Sequence, residues 1–212
     1  MSIKKAYNSW AESYDTNENK TRDLDQKSTI KILSKYSFET VLELGCGTGK
    51  NTQWHLGKAT NIIGLDFSQE MLNKAKEKIN NNKVLFIKAD LLQPWDVQNE
   101  FADLVTSSLT LEHIKNIDFI FKQACLKLKP NGLFFINELH PFKQYTGSKA
   151  RFETEKGTQV LEVYTHHISE YIQSAKNNGF VLVEIDEQFD QIDENEIPRL
   201  ISFVFKKNKG VV

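Results

Sequence analysis

Short apolar runs alternate with amphipathic stretches through most of the chain, and this alternation restricts the fold more than any other feature. Candidate strands lie at residues 40–44, 61–66, 84–89, 102–106 and 133–138. Helical patterns lie between them at residues 50–56, 68–80 and 118–128, the last ending at the turn signal Lys-Pro-Asn-Gly of residues 129–132. A strand followed by a helix, repeated several times, predicts right-handed crossovers and a parallel sheet with helices on both faces.

The two ends of the chain depart from this rhythm. Residues 1–36 predict two helices before the first strand, which would form an N-terminal helical cap. Near the other end, a helix at residues 169–178 is closed by Gly179, and strands at 180–186 and 200–206 follow as antiparallel neighbours. The prediction is a doubly wound α/β fold with a seven-stranded, mostly parallel sheet and an antiparallel last strand. No repeat or linker interrupts the chain, so residues 1–212 are expected to form one domain.

Residues 140–168 follow the fifth strand and have no clear helical period. Within them, two β-rich arms flank Glu155-Lys156-Gly157, which predicts a β-hairpin insertion. Phe142, Tyr145, Phe152 and Tyr164 would give this insertion a partly aromatic wall. Since it leaves the carboxyl end of the fifth strand, we expect a lid over a bound acceptor. The alternative is a β-extension that packs on the sheet edge and contacts no ligand.

Composition and charge exclude several classes of partner. The chain has 27 Lys and Arg against 28 Asp and Glu, so it has no basic surplus for binding nucleic acid. No run of about 18 apolar residues is present, so no membrane span is expected. Two cysteines are too few for a disulfide framework. The first residues also lack the apolar segment of a secretory signal. These features predict a cytoplasmic protein.

Three alternating glycines, Gly45, Gly47 and Gly49, directly follow the first strand in "VLELGCGTGK". Side chains are absent at these three positions, which is typical of a loop that a ligand approaches closely. Dinucleotide loops need Gly-x-Gly-x-x-Gly, but the third position falls on Lys50 or Thr52. The phosphate-binding P-loop pattern is also missing, so a phosphate ligand fits poorly.

An acid stands in or beside the end of each of the first three strands: Glu43, Asp66 and Asp90. Ligands of open parallel sheets bind beyond the carboxyl ends of the strands, so we expect these acids to lie together. Asp66 can accept hydrogen bonds from a ribose diol, Glu43 favours a nearby ammonium or sulfonium, and Asp90 can accept from an adenine amine. Phe67 and Leu91 could clamp the adenine ring. This combination describes S-adenosylmethionine.

The successive motifs "VLELGCGTGKNT", "IIGLDFSQEMLNKAKEK", "FIKADLLQPW", "FADLVTSSLTLEHI" and "LKPNGLFFINELHP" resemble those of class I S-adenosylmethionine-dependent methyltransferases. The resemblance covers residues 38–140. The opening "AYNSWAESYD" is similar to a segment that precedes the core in small-molecule methyltransferases of the ubiquinone-biosynthesis type, although Asn8 replaces the first Asp of that pattern. The resemblance implies a Rossmann-like fold that carries S-adenosylmethionine and releases S-adenosylhomocysteine.

By position, the resemblance places the three glycines against the cofactor backbone, Asp66 on its ribose and Ser107 near its methionine part. Tyr14 would close over the cofactor, with core packing as the alternative. Cys46 would stand in the loop because it is small. The expected cofactor-binding residues are Tyr14, Glu43, Gly45, Cys46, Gly47, Gly49, Asp66, Phe67, Met71, Asp90, Leu91 and Ser107.

Histidines are the candidates for further chemistry. His140 directly follows the fifth strand, where it would contact the acceptor as a base or hydrogen-bond partner, or else bond the backbone around Pro141. The resemblance implies that His113 shapes the loop under the cofactor. His166 and His167 are adjacent in a predicted strand and would point to opposite faces, so no metal site is expected.

The expected function is in-line transfer of a methyl group to O, N or C of a small-molecule acceptor by a monomer or homodimer. A non-catalytic binder of S-adenosylmethionine and a methyltransferase acting on protein or RNA are the alternatives. The complete glycine loop with its three acids favours an enzyme over a binder. The absence of a basic surplus disfavours RNA.

Overall fold

The computed structural model describes residues 3–12, 14–16, 18–148, 151–154, 157–190 and 197–208. Its strands are β1 (Thr40–Leu44), β2 (Asn61–Asp66), β3 (Val84–Lys88), β4 (Ala102–Ser108), β5 (Leu128–Leu139), β6 (Arg151–Thr154), β7 (Gly157–Val160), β8 (Phe180–Gln188) and β9 (Leu200–Lys207). Its helices are α1 (Ile3–Trp10), α2 (Lys20–Leu33), α3 (Lys50–His55), α4 (Gln69–Lys78), α5 (Ile117–Lys127), α6 (Pro141–Tyr145) and α7 (Ile168–Asn177). A short 3-10 helix spans Leu111–His113.

Seven of these strands form one sheet in the order β3-β2-β1-β4-β5-β9-β8. β1 pairs in parallel with β2 and β4, while β9 runs antiparallel to both β5 and β8. The predicted Rossmann-like, doubly wound sheet with an antiparallel last strand is therefore confirmed. In this arrangement the carboxyl ends of β1 to β4 meet at one edge of the sheet.

The sheet is buried on both faces because apolar residues occupy consecutive positions in its central strands. Leu42 and Phe134 face one cluster, with α5 and α7, whereas Val41 and Phe135 face a second cluster, with α2. Neighbouring residues of a strand point to opposite faces, so an unbroken apolar run serves both. Burying each such side chain contributes about 1.5–3 kcal/mol.

The predicted turn at residues 129–132 is wrong as a boundary between helix and strand. α5 ends at Lys127 and β5 begins at Leu128, so these residues lie inside the strand. They form an irregularity in the pairing of β4 with β5, where Asn131 has a φ of 64°. Lys129 is tied there by its ammonium, 2.8 Å from the Asp103 carboxylate. A bulge accommodates a turn-like sequence without ending the strand.

The additions to the sheet follow the prediction where the structure describes them. Two helices, α1 and α2, precede β1, and Asn19 caps α2 by accepting a hydrogen bond from the Arg22 amide. β6 and β7 pair antiparallel as a separate two-stranded hairpin. The predicted turn of this hairpin at residues 155–156 lies outside the described residues.

The described residues contain neither a candidate membrane-spanning helix nor a candidate metal cluster. No helix there has both the length and the apolar character needed to cross a membrane. In the same part of the chain, no three His, Cys, Asp or Glu side chains are grouped so that they could hold a metal ion.

His55, at the end of α3, is fully buried between the rings of Phe38 and Trp54. Neither imidazole nitrogen has a hydrogen-bond partner among the described residues. Burial therefore lowers the pKa of His55 to about 3. In the unfolded chain, His55 takes up a proton when the pH falls below the ordinary histidine pKa, near 6.5. The contribution of neutral His55 to stability is complete above that pH and is lost as the pH falls toward 3.

We predict that His55→Leu makes the protein less sensitive to acid. Between pH 7.5 and pH 5, the free energy of unfolding of the wild type should fall by about 2 kcal/mol more than that of the variant. Urea unfolding at a series of pH values measures the difference. Parallel pH profiles for the two proteins would contradict a neutral imidazole in this position.

Candidate active site

A cavity of about 610 Å³ lies beyond the carboxyl ends of β1 to β4. The predicted cofactor residues that line it are Tyr14, Gly45, Gly47, Asp66, Phe67, Met71, Asp90 and Leu91. Lining residues that the sequence did not single out are Ile3, Tyr7, Lys88, Ala89, Leu92, Ser108, Leu109, Thr110 and Ile114. The position agrees with the rule that open α/β sheets bind ligands at this edge.

The three glycines of the loop all have left-handed backbone conformations, with φ of 66° at Gly45, 53° at Gly47 and 82° at Gly49. Their surroundings differ. A Cβ atom at Gly45 would collide with the side chain of Thr110, and one at Gly49 would lie 2.9 Å from Ile79. At Gly47 a Cβ atom would meet no atom within 4 Å. Gly45 and Gly49 are thus required by the protein's own packing, while Gly47 keeps open space beside the cavity.

The Asp66 carboxylate fixes the loop to the end of β2. Its Oδ2 accepts a hydrogen bond of 2.9 Å from the Gly47 amide, and its Oδ1 accepts one of 2.8 Å from the Ser68 amide. Burial raises the pKa of Asp66, and these backbone donors oppose the shift. Each carboxylate oxygen has two lone pairs, so Asp66 retains acceptor capacity toward the cavity that it lines.

Asp90 lies at the far side of this cavity, directly after β3. It is exposed, and its Oδ1 accepts a hydrogen bond of 2.9 Å from the Leu92 amide. Leu91, by contrast, is buried. The two residues therefore offer a polar group and an apolar surface side by side.

Glu43 does not line the cavity, contrary to the expectation that it faces a ligand cation. It is buried and accepts a hydrogen bond from the Thr52 hydroxyl of α3. Burial raises the pKa of Glu43 to about 8, and the charges of Asp25 and Asp66 add to the shift. Its carboxyl group is turned toward α3 because Glu43 lies within β1, one residue before the strand ends.

Three other predicted residues also lie off the cavity surface: Cys46, Gly49 and Ser107. Cys46 packs in a cluster with Leu72 and Phe86, and burial raises the pKa of its thiol well above the usual value. Ser107 is fully buried, and Ser108 takes the cavity position instead. β4 extends two residues beyond its predicted end, and a shift of one residue along a strand changes which face a side chain meets.

Tyr7 and His113 form a hydrogen-bonded pair on the cavity wall, with 2.8 Å between Tyr7 Oη and His113 Nε2. His113 Nδ1 lies 3.4 Å from the carbonyl oxygen of Glu162, which can only accept. We therefore assign the proton to Nδ1, so that Nε2 accepts the Tyr7 hydroxyl proton. Burial lowers the pKa of His113 and raises that of Tyr7, so both are neutral near pH 7. The segment "AYNSWAESYD" already contained Tyr7, but only Tyr14 was singled out from it.

His140 does not line the cavity, and the structure favours its structural alternative. Its ring is fully buried; Nδ1 accepts a hydrogen bond of 3.1 Å from the Phe142 amide at the start of α6, and Nε2 lies 2.9 Å from the Glu187 carboxylate. Both ring nitrogens are therefore occupied. Burial lowers the pKa of His140, and Glu187 opposes the shift.

His166 and His167 make separate structural contacts. His166 is buried, with Nε2 lying 2.8 Å from the Ile114 carbonyl oxygen. His167 caps α7 and contacts the Tyr145 hydroxyl.

Residues 42–136 match the family model described as "Methyltransferase domain". An uncharacterised methyltransferase of Emericella nidulans is 28% identical over 85% of this chain and 76% of its own length. A ubiquinone biosynthesis O-methyltransferase of Pelagibacter ubique is 28% identical over 80% and 71% of the two chains. The crystal structure of an S-adenosylmethionine-dependent methyltransferase from Mesorhizobium loti superimposes with a TM-score of 0.71, at 19% identity over 87% and 100% of the two chains, which shows a shared fold.

This match and the shared fold make the chain similar to the class I S-adenosylmethionine-dependent methyltransferases. The resemblance of its motifs is confirmed, and S-adenosylmethionine is the cofactor of the family. The residues present fit this cofactor: the glycine loop leaves open space at Gly47, and Asp66 has free acceptor capacity beside it.

We predict that the glycines of the loop differ in their tolerance of a methyl group. Gly47→Ala should lower the free energy of unfolding by about 1–2 kcal/mol, the cost of a left-handed non-glycine residue. Gly45→Ala should cost about 1–3 kcal/mol more, because its Cβ displaces the Thr110 side chain. Urea unfolding of the three proteins tests this order. Equal losses would mean that Thr110 yields without cost.

Proposed function

We propose that this chain transfers a methyl group from S-adenosylmethionine to a small-molecule acceptor. The observation that carries the proposal is a single cavity with two unlike ends. One end has the glycine loop, Asp66 and Asp90, and the other has the Tyr7–His113 pair. The first end suits a nucleoside, and the second end suits the reacting group of an acceptor.

The cofactor contacts follow from the geometry of the first end. Asp66 would accept from the ribose hydroxyls while its backbone donors hold it in place. Asp90 would accept from the adenine amine, with Phe67, Met71 and Leu91 supplying apolar surface around the ring. Tyr14 would cover the cofactor from the N-terminal segment. Glu43 supports α3 beneath the loop and does not touch the ligand.

When bound, S-adenosylmethionine supplies a methyl group on an activated leaving group. The chain has to hold the acceptor atom in line with that group and keep water out, which is worth roughly 7–11 kcal/mol in well-oriented systems. The Tyr7–His113 pair can take up a proton that leaves the acceptor. Tyr7 Oη can accept it while the hydroxyl proton of Tyr7 moves to His113 Nε2, 2.8 Å away.

The insertion after β5 would act as the lid of this cavity. Leu161, just after β7, is buried against Ala6 of α1. The Glu162 carbonyl accepts from His113, and the Tyr164 amide donates to the Glu112 carbonyl at 2.7 Å. These contacts join the insertion to α1 and to the 3-10 helix, both of which border the cavity.

We predict that Asp66→Asn weakens binding of S-adenosylhomocysteine by about tenfold or more, because hydrogen bonds to a charged group contribute about 1.5–3 kcal/mol. Calorimetry measures the affinity. Asp96→Asn, which removes the same charge from an exposed position, is the matched control and should bind like the wild type. Unchanged affinity in Asp66→Asn would remove Asp66 from the cofactor site.

We predict that Tyr7→Phe and His113→Gln lower turnover by about 10²–10⁴-fold if the acceptor arrives protonated, while binding S-adenosylhomocysteine like the wild type. The route needs neutral His113, and burial lowers the pKa of this residue. Wild-type turnover should therefore hold near pH 7 and fall only at a pH below the ordinary histidine pKa of about 6.5. A wild-type profile that does not change over this range, with normal turnover in both variants, would exclude the pair from proton transfer.

A further inference from the structure

We propose that the acceptor is a small molecule with an amine, recognised in its cationic ammonium form at the Tyr7–His113 end of the cavity. The inference rests on the proposed function and names the class of its acceptor. Two independent features of this end carry it: an aromatic wall and a set of buried carboxyl groups without a cationic partner.

The aromatic wall consists of Tyr7 at this end of the cavity and of Tyr14 and Phe67, which this end shares with the nucleoside end. The ring of Tyr7 lies 5.8 Å from that of Phe67 and 6.5 Å from that of Tyr14, between ring centroids. His113 meets the same ring edge-on at 5.5 Å. A cation within about 6 Å of such rings is attracted by their electron-rich faces, and the attraction grows when water is excluded.

Carboxyl groups surround Tyr7 behind this wall. Glu112 and Glu138 are each less than 9% exposed, and their charges add to burial in raising the pKa of the Tyr7 hydroxyl. Glu112 Oε1 lies 4.0 Å from His113 Nε2, the nitrogen that binds Tyr7. A cation beside Tyr7 would therefore lie in the field of these two acids.

These acids lack the cation that buried carboxylates ordinarily have. Glu138 uses Oε1 to accept from the Thr110 and Leu111 amides, while its buried Oε2 has no hydrogen-bond partner among the described residues. Glu112 receives only a long bond of 3.4 Å from the Gln144 amide within the described part of the chain. Burial raises the pKa of Glu112 to about 7 and that of Glu138 to about 8. A bound ammonium would favour the ionised form of both acids and would pair with their charge.

This end of the cavity has no cationic side chain among the described residues that line it. In that lining, Lys88 is the one lysine or arginine, and it lies after Ile87 at the adenine end, exposed. Arg22 is close, with its guanidinium carbon 4.0 Å from the Tyr14 ring centroid, but it does not line the cavity. A carboxylate or phosphate at this end would meet two acids without a counter-charge, which disfavours both.

The chemical step balances with the groups present. The ammonium gives one proton to Tyr7 Oη, and the hydroxyl proton of Tyr7 passes to His113 Nε2. The nitrogen lone pair then forms a bond to the methyl carbon as the carbon–sulfur bond breaks, and the electron pair of that bond stays on sulfur. The products are the methylated ammonium, a neutral thioether and a protonated His113, which returns its proton to solvent.

The test measures binding of a matched panel to the protein saturated with S-adenosylhomocysteine. The panel consists of small amines and, for each amine, the alcohol, the carboxylate and the phosphate ester with the same carbon skeleton. Binding of S-adenosylhomocysteine is measured first, and its failure would overturn the proposed function itself. Given that binding, we expect amines to bind at least about tenfold more tightly than their matched carboxylates. Carboxylates or phosphates that bind as well as the amines would overturn the inference.

A variant then separates the acceptor from the cation of the cofactor. Glu112→Gln should weaken binding of the preferred amine by about fivefold or more and leave that of S-adenosylhomocysteine within about twofold, which also shows that the variant is folded. Glu39→Gln, an exposed acid beside the start of β1, should change neither. If Glu112→Gln does not fold, Tyr7→Phe replaces it in the same comparison, because this variant lacks the hydroxyl oxygen that would accept a hydrogen bond from the ammonium. A variant that loses cofactor affinity and keeps amine affinity would assign these acids to S-adenosylmethionine, against the inference.

Discussion

The carboxylate of Asp66 is the interaction on which the arrangement of the site depends. One residue joins the glycine loop, through the Gly47 amide, to the start of α4, through the Ser68 amide. The loops after β1 and β2, which are neighbours in the sheet, are thereby held at a fixed separation. The left-handed conformations of Gly45 and Gly49 complete this framework, since side chains at either position would displace Thr110 or Ile79.

A second constraint is the number of carboxyl groups that the fold buries near this edge. Asp25 accepts hydrogen bonds from the amides of Asn51 and Asn137, at 3.0 and 2.7 Å, and thereby ties α2 to α3 and β5. Even so, burial raises its pKa to about 6. Buried acids raise one another's pKa values, because each adds negative charge to the same low-dielectric region. A cation bound at this edge, as proposed, would lower this repulsion between the buried acids.

The sequence predicts the sheet well because apolar runs report burial on both faces, and it predicts the cavity because strand ends in a parallel sheet must converge. The prediction from sequence fails where a shift of one residue along a strand changes which side chain faces the cavity. Ser107 and Ser108 are equivalent by composition, and only the length of β4 determines that Ser108 faces the cavity. His140 was placed correctly at the end of β5, yet its orientation depends on Glu187, a partner 47 residues away. Long-range partners of this kind leave no local pattern.

The proposed acceptor end of the cavity is assembled mainly from parts of the chain other than those of the proposed nucleoside end. Tyr7 comes from α1, His113 from the 3-10 helix after β4, and the carbonyl that orients His113 comes from Glu162 in the insertion after β5. The nucleoside end, in contrast, comes from the loops directly after β1, β2 and β3. A change in α1 or in the insertion can therefore alter the acceptor wall while the Asp66 contacts remain intact. Because the Glu162 carbonyl orients His113, the proposed lid would also set the proton acceptor of Tyr7: an insertion that left this contact would leave His113 Nδ1 without its partner.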